Sequence, residues 1–93
     1  MQAVAKKFNL GIVVVTLGAR DLIEDSQEKM QELLARHVSG DWGDIDDEDK
    51  ALNDSALQHG VRLLSSYTVD GEKIWVITEA DRSSTTILLP SEY

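Results

Sequence analysis

The chain contains no cysteine. That excludes a disulfide framework, a thiolate zinc site and a cysteine nucleophile. There is one proline, Pro90, one phenylalanine, Phe8, and no Pro-rich linker. No apolar run approaches the roughly 20 residues that span a bilayer; the stretch Leu10 to Leu17 is too short and is closed by Gly18. Met1 to Lys7 carries two lysines, but the apolar residues after it read as a strand and no small-residue cleavage site is evident. The expectation is a cytoplasmic protein without a signal peptide and with no membrane contact. Positive charge is scarce too. Nine Lys and Arg stand against 17 Asp and Glu, a net of −8, so phosphate backbones should repel the chain and direct nucleic-acid binding is not expected.

What is present fits one domain spanning 1–93. Hydrophobic residues make up 42% of the chain, enough for a packed core. A domain this small should be stable by only on the order of 5 kcal/mol. The charge imbalance is local. Asp21 to Asp54 holds twelve acids and three bases, whereas the remainder is nearly balanced. Within that segment, Asp41, Asp44, Asp46, Asp47, Glu48 and Asp49 place six carboxylates in nine residues. So dense a run concentrates negative potential and points to a basic protein surface or a cation as partner.

Leu10 to Thr16 is a β-branched run without alternation and reads as a strand buried on both faces. A short helix is expected over Ala19 to Glu24. Asp25 to Glu28 has the form of a capping box, followed by apolar residues at helical spacing, so Ser26 to Val38 reads as an amphipathic helix. Asp41 to Asp44 is a loop. A further helix should begin at Asp46 or Asp47, with its acids at the positive end of the macrodipole, and stop at Gly60. Val61 to Val69 is strand-like, and Asp70-Gly71 signals a type I′ hairpin. Glu72 to Glu79 alternates, with Ile74, Val76 and Thr78 on one face and Trp75 and Ile77 on the other. Ser84 to Leu89 forms a third strand, stopped by Pro90. The expected fold is α+β: a four-stranded, mostly antiparallel sheet, made of the N-terminal strand and a C-terminal three-stranded meander, with two or three helices packed on one face.

Candidate site residues fall into three groups. Read as a calcium loop from Asp44, the acidic run has Asp49 where glycine is needed and Ser55 where a bidentate glutamate is needed, so neither a metal nor a cofactor is expected. Asp41, Trp42, Asp44, Asp46, Asp47, Glu48 and Asp49 remain as a partner-binding patch, or as a well-capped helix start. Trp42 would be either an aromatic anchor for that partner or packed inside. His37 and His59 each lie near a predicted helix end, at the surface or satisfied in the core; as general bases they lack a visible orienting partner. Asp81, Arg82 and Ser83, with the neighbouring hydroxyls, either hold an anion or close a turn, with Asp81 and Arg82 pairing locally.

Several segments together carry a family resemblance. They are His37 to Gly43, Asp46-Asp47 with Leu52-Asn53 and Ala56-Leu57, Gly60 to Ser65 with Tyr67, and Ile74 to Ser83 with Thr85-Thr86 and the ending Leu88 to Tyr93. The chain there resembles the poorly characterised short "plasmid-related" proteins of bacterial plasmids and integrative elements. The resemblance implies cargo of a mobile element and carries no catalytic residues with it. The leading reading is a non-enzymatic acidic module that docks on a basic nucleic-acid-handling protein and inhibits or tunes it, as an anti-restriction or anti-CRISPR protein does. One alternative is a small enzyme gathering His37, Trp42, Asp44, Asp81, Arg82 and Ser83 in one cleft. Another is a self-associating subunit, a homodimer through a meander face bearing Trp75, Ile77 and Leu88.

Overall fold

A computed structural model describes residues 6–93. Met1 to Ala5, most of the segment read above for a signal peptide, lies outside them. Strand β1 (Ile12–Val15) leads into helices α1 (Leu17–Leu22), α2 (Gln27–Val38) and α3 (Asp47–His59). Strands β2 (Leu63–Val69), β3 (Glu72–Thr78) and β4 (Ser84–Leu88) follow, then a 3-10 turn over Pro90–Glu92. The sheet order is β1-β4-β3-β2. β2, β3 and β4 form an antiparallel meander, and β1 joins β4 in parallel. The expected α+β fold is therefore present. Among the described residues no helix is long and apolar enough to cross a membrane.

Local chemistry accounts for the element ends. Thr16 accepts from the Ala19 N–H and starts α1, two residues earlier than the composition suggests. Ser26, rather than Asp25, caps α2 by accepting from the Lys29 N–H. Asp25 instead adopts positive φ, as does Glu24, in the tight α1–α2 connection. Asp46 caps α3, and its three following acids face the helix's positive end. Asp70 and Gly71 both have positive φ, as a type I′ hairpin requires.

The helix-side face of the sheet holds the main core. Tyr67, Ile74, Val76 and Ile87 from the strands pack with Ala19, Ile23 and Leu33 from α1 and α2. A second cluster, Trp42, Ala56 and Leu63 with Phe8, Ile45 and Leu57, seats α3 and its preceding loop against β2. The C-terminus is tied back across the chain. The Glu92 carboxylate accepts from the Thr16 hydroxyl (2.5 Å) and the Gly18 N–H (3.0 Å), and these bonds, the Thr16 hydroxyl first, lower its pKa.

Two expectations are corrected here. β1 is not buried on both faces: it lies at the sheet's edge, and Ile12 is 73% exposed, with Val13 and Val14 also open to solvent. A run of β-branched residues fits an edge as well as a centre, and pairing partners decide between them. The meander face is not an exposed apolar patch, because Ile77 and Leu88 are buried and Trp75 packs edge-on against Tyr93.

The opposite edge is covered. The Ser66 N–H donates to the Trp42 carbonyl, and the Asp44 N–H donates to the Ser66 carbonyl, so the 42–44 loop pairs with β2 in parallel. Asn53 of α3 adds a two-way clamp: its amide donates to the Leu64 carbonyl and accepts from the Leu64 N–H. Gly43 makes this close approach feasible. Its φ is +77°, and a Cβ there would sit 2.1 Å from the Ser66 carbonyl oxygen. Gly43→Ala should therefore cost at least about 2 kcal/mol of unfolding free energy by urea titration. Gly71→Ala, also at positive φ but with open space around it, should cost only about 1 kcal/mol.

Candidate functional site

The acidic run divides in two. Asp41 pairs with Arg36 (2.7 Å), and that hydrogen-bonded ion pair lowers its pKa. Arg36 also lies 4.4 Å from the Tyr67 ring centroid, while the Tyr67 hydroxyl donates to the Asp41 carbonyl. Burial pushes the Tyr67 phenol up to about 12, keeping it a donor. Asp44 accepts from the Thr68 hydroxyl (2.8 Å) and lies 3.6 Å from Lys73; the hydroxyl first, then the lysine, lowers its pKa. These two acids fasten the loop to the sheet.

Asp46, Asp47, Glu48 and Asp49 behave differently. All four are exposed in the first turn of α3 and its cap, and among the described residues none has a salt-bridge partner. The neighbouring Asp46 carboxylate raises the Asp49 pKa. Asp49 also lines a groove of about 530 Å³ between α3 and β2. The groove contains Ile45, Leu52, Val61 and Leu64, and Leu52 is 62% exposed. Arg62 borders it too, with its guanidinium over the Tyr93 ring (5.5 Å).

Trp42 is not an exposed anchor. It is 3% exposed, stacked on Phe8 and edge-on to His37. Its indole N–H donates to Asp54 (3.0 Å). The hydrophobic ring goes inside because one carboxylate at the cluster's rim satisfies its only donor.

His37 is fully buried. Nδ1 meets the Ser65 hydroxyl at 2.6 Å and Nε2 the Thr78 hydroxyl at 2.9 Å. Thr78 bonds Thr85 (2.7 Å), and Thr85 donates to the Leu10 carbonyl (2.7 Å). That carbonyl can only accept, which fixes the direction of the chain. Thr85 must accept from Thr78, and Thr78 from the ring N–H at Nε2. Burial, with a lesser contribution from the Arg82 charge, lowers the ring's pKa to about 3, and in that neutral form Nδ1 accepts from the Ser65 hydroxyl. Among the described residues no carboxylate hydrogen-bonds to it. His59 is exposed and donates from Nδ1 to the Ser55 carbonyl.

The Asp81–Ser83 segment closes a turn. Asp81 accepts from the Ser83 N–H (3.0 Å) rather than pairing with Arg82, and Ser83 lowers its pKa. Arg82, at positive φ, donates to the carbonyls of Ala56, Val61, Glu79 and Ala80. It therefore binds the C-terminal end of α3 to the β3–β4 turn. Asp44, beside Thr68 and Lys73, and Asp81 lie at opposite ends of β3, about 20 Å apart by strand rise. The six side chains of the enzymatic alternative do not share a cleft. Among the described residues, no three His, Asp or Glu side chains converge to hold a metal ion.

No protein-family model matches the chain, and no curated protein or solved structure matches it significantly.

The histidine carries a pH signature. Its folded pKa lies below the ordinary 6.5, so as pH falls below 6.5 the unfolded chain takes up a proton that the folded one refuses. Unfolding free energy should drop by up to about 1.4 kcal/mol per pH unit between pH 6.5 and 4.5. The lowered carboxylates Asp41, Asp44, Asp81 and Glu92 add their loss mainly below this window. Denaturant titrations across it should give a slope that His37→Gln flattens.

Proposed function

We propose that this chain is an acidic protein-binding module that docks on a basic, nucleic-acid-handling protein and inhibits or modulates it. The observation carrying this reading is the exposed row Asp46, Asp47, Glu48 and Asp49, which among the described residues has no salt-bridge partner and whose last member, Asp49, lines an apolar groove. Carboxylates steer a cationic surface into register, and an apolar floor supplies the contact that holds it. The patch is narrower than the sequence run, because Asp41 and Asp44 are engaged internally. The anchor role falls to exposed Leu52 and Val61, which would receive an apolar side chain flanked by Lys or Arg. The resemblance to plasmid-related proteins supports reading this activity as that of a mobile element's cargo in a bacterial cytoplasm, with an anti-restriction or anti-CRISPR role as its form. The enzymatic alternative is less favoured, since among the described residues the polar side chains bonded to the buried histidine are the Ser65 and Thr78 hydroxyls.

The test is a low-salt pull-down from host cytoplasm, followed by affinity measurement on the captured protein. Asp46→Asn/Asp47→Asn/Asp49→Asn should weaken binding at least about tenfold, and so should raising salt from 50 to 200 mM. Asparagine at 46 retains the helix cap, so circular dichroism should be unchanged. Leu52→Ala should shorten the complex lifetime. Binding indifferent to the triple substitution would remove this reading.

A further inference from the structure

We infer that the open edge of the sheet is a self-association surface, where β1 pairs antiparallel with β1 of a second copy. The inference is independent of the acidic patch. Among the described residues β1 has β4 as its only strand neighbour. The Ile12 and Thr16 N–H groups donate toward β4, to the carbonyls of Ser83, just before it, and Ile87. By the two-residue period of a strand, Val13 and Val15 direct their N–H and C=O groups outward from the sheet. Among the described residues nothing blunts this edge: β1 has no lysine, no proline and no bulge, the devices by which edges usually avoid pairing.

Three features select a second copy as occupant. Leu10 to Ala19 contains no ionisable residue, so two chains of net charge −8 can approach there without placing like charges in contact. The acidic start of α3 flanks β2, three strand spacings away from β1; in the pair, the two acidic helices would stand about 30 Å apart, beyond the Debye length of about 8 Å at physiological salt. The geometry is also self-complementary. With a two-fold axis through Val13, the two Val13 residues exchange both N–H···O bonds, and Ile12 of each copy faces Val14 of the other on one face of the sheet. Finally, the 42–44 loop and Asn53 occupy the β2 edge, so head-to-tail stacking of β1 on β2 is blocked and the assembly closes as a dimer.

Sedimentation equilibrium of the full chain tests this. The wild type should run at twice the chain mass and remain there in high salt. Ile12→Lys and Val14→Lys, at exposed positions, should each raise the dimer dissociation constant at least about tenfold while preserving the circular dichroism spectrum. Hydrogen exchange at the Val13 and Val15 amides should slow as protein concentration rises. A wild type at chain mass up to about 1 mM, a dimer unaffected by either lysine, or Val13 exchange independent of concentration would each overturn the inference.

Discussion

The buried imidazole of His37 is the constraint on which the rest of the architecture depends. It sits at the end of α2 and reaches β2 through Ser65, β3 through Thr78, and, by way of Thr85, β4 and the segment entering β1. One hydrogen-bonded line therefore crosses the whole sheet. Hydroxyls on the inner face of a small core are costly unless satisfied, and among the described residues no buried side-chain polar atom lacks a partner. A line with a fixed donor direction also favours one register over its neighbours, because a slip of one residue would turn each hydroxyl to the other face.

The loop carrying the acidic run shows how one stretch of sequence serves two roles. Arg36, Tyr67, Thr68 and Lys73 take up Asp41 and Asp44, and the backbone between them covers a sheet edge. Only after that does the chain turn into α3 and present its remaining acids outward. Charge density along a sequence is thus a poor measure of charge density on a surface, since neighbours in the chain can face different partners.

Elements governed by local chemistry were legible before any coordinates. The cap of α3, the Asp70-Gly71 hairpin and the alternation of β3 all follow from residues within a turn of one another, whereas the cap of α2 falls on Ser26, one residue past the expected Asp25. Four features were not legible. β1 reads identically as edge or centre, because its place is set by partners some 70 residues later. Trp42 goes inside because of Asp54 and Phe8, neither of which marks a loop tryptophan by spacing. The hydroxyls bonded to His37 come from two strands and the next in the line from a third, so no local motif connects them. The groove beside Asp49 is of the same kind: exposed Leu52 looks like an ordinary helix-face residue until β2 is placed beneath it.

The two indoles sit on opposite sides of the sheet. Trp42 stacks on the helix side, 5.8 Å from the His37 ring; Trp75 lies on the other side, against Tyr93. Each is thereby an intrinsic optical probe of a separate layer. With Trp75 replaced by phenylalanine, the residual emission would report on the helical layer alone, and its quenching by a newly protonated imidazole would reveal when acid first breaches the interior.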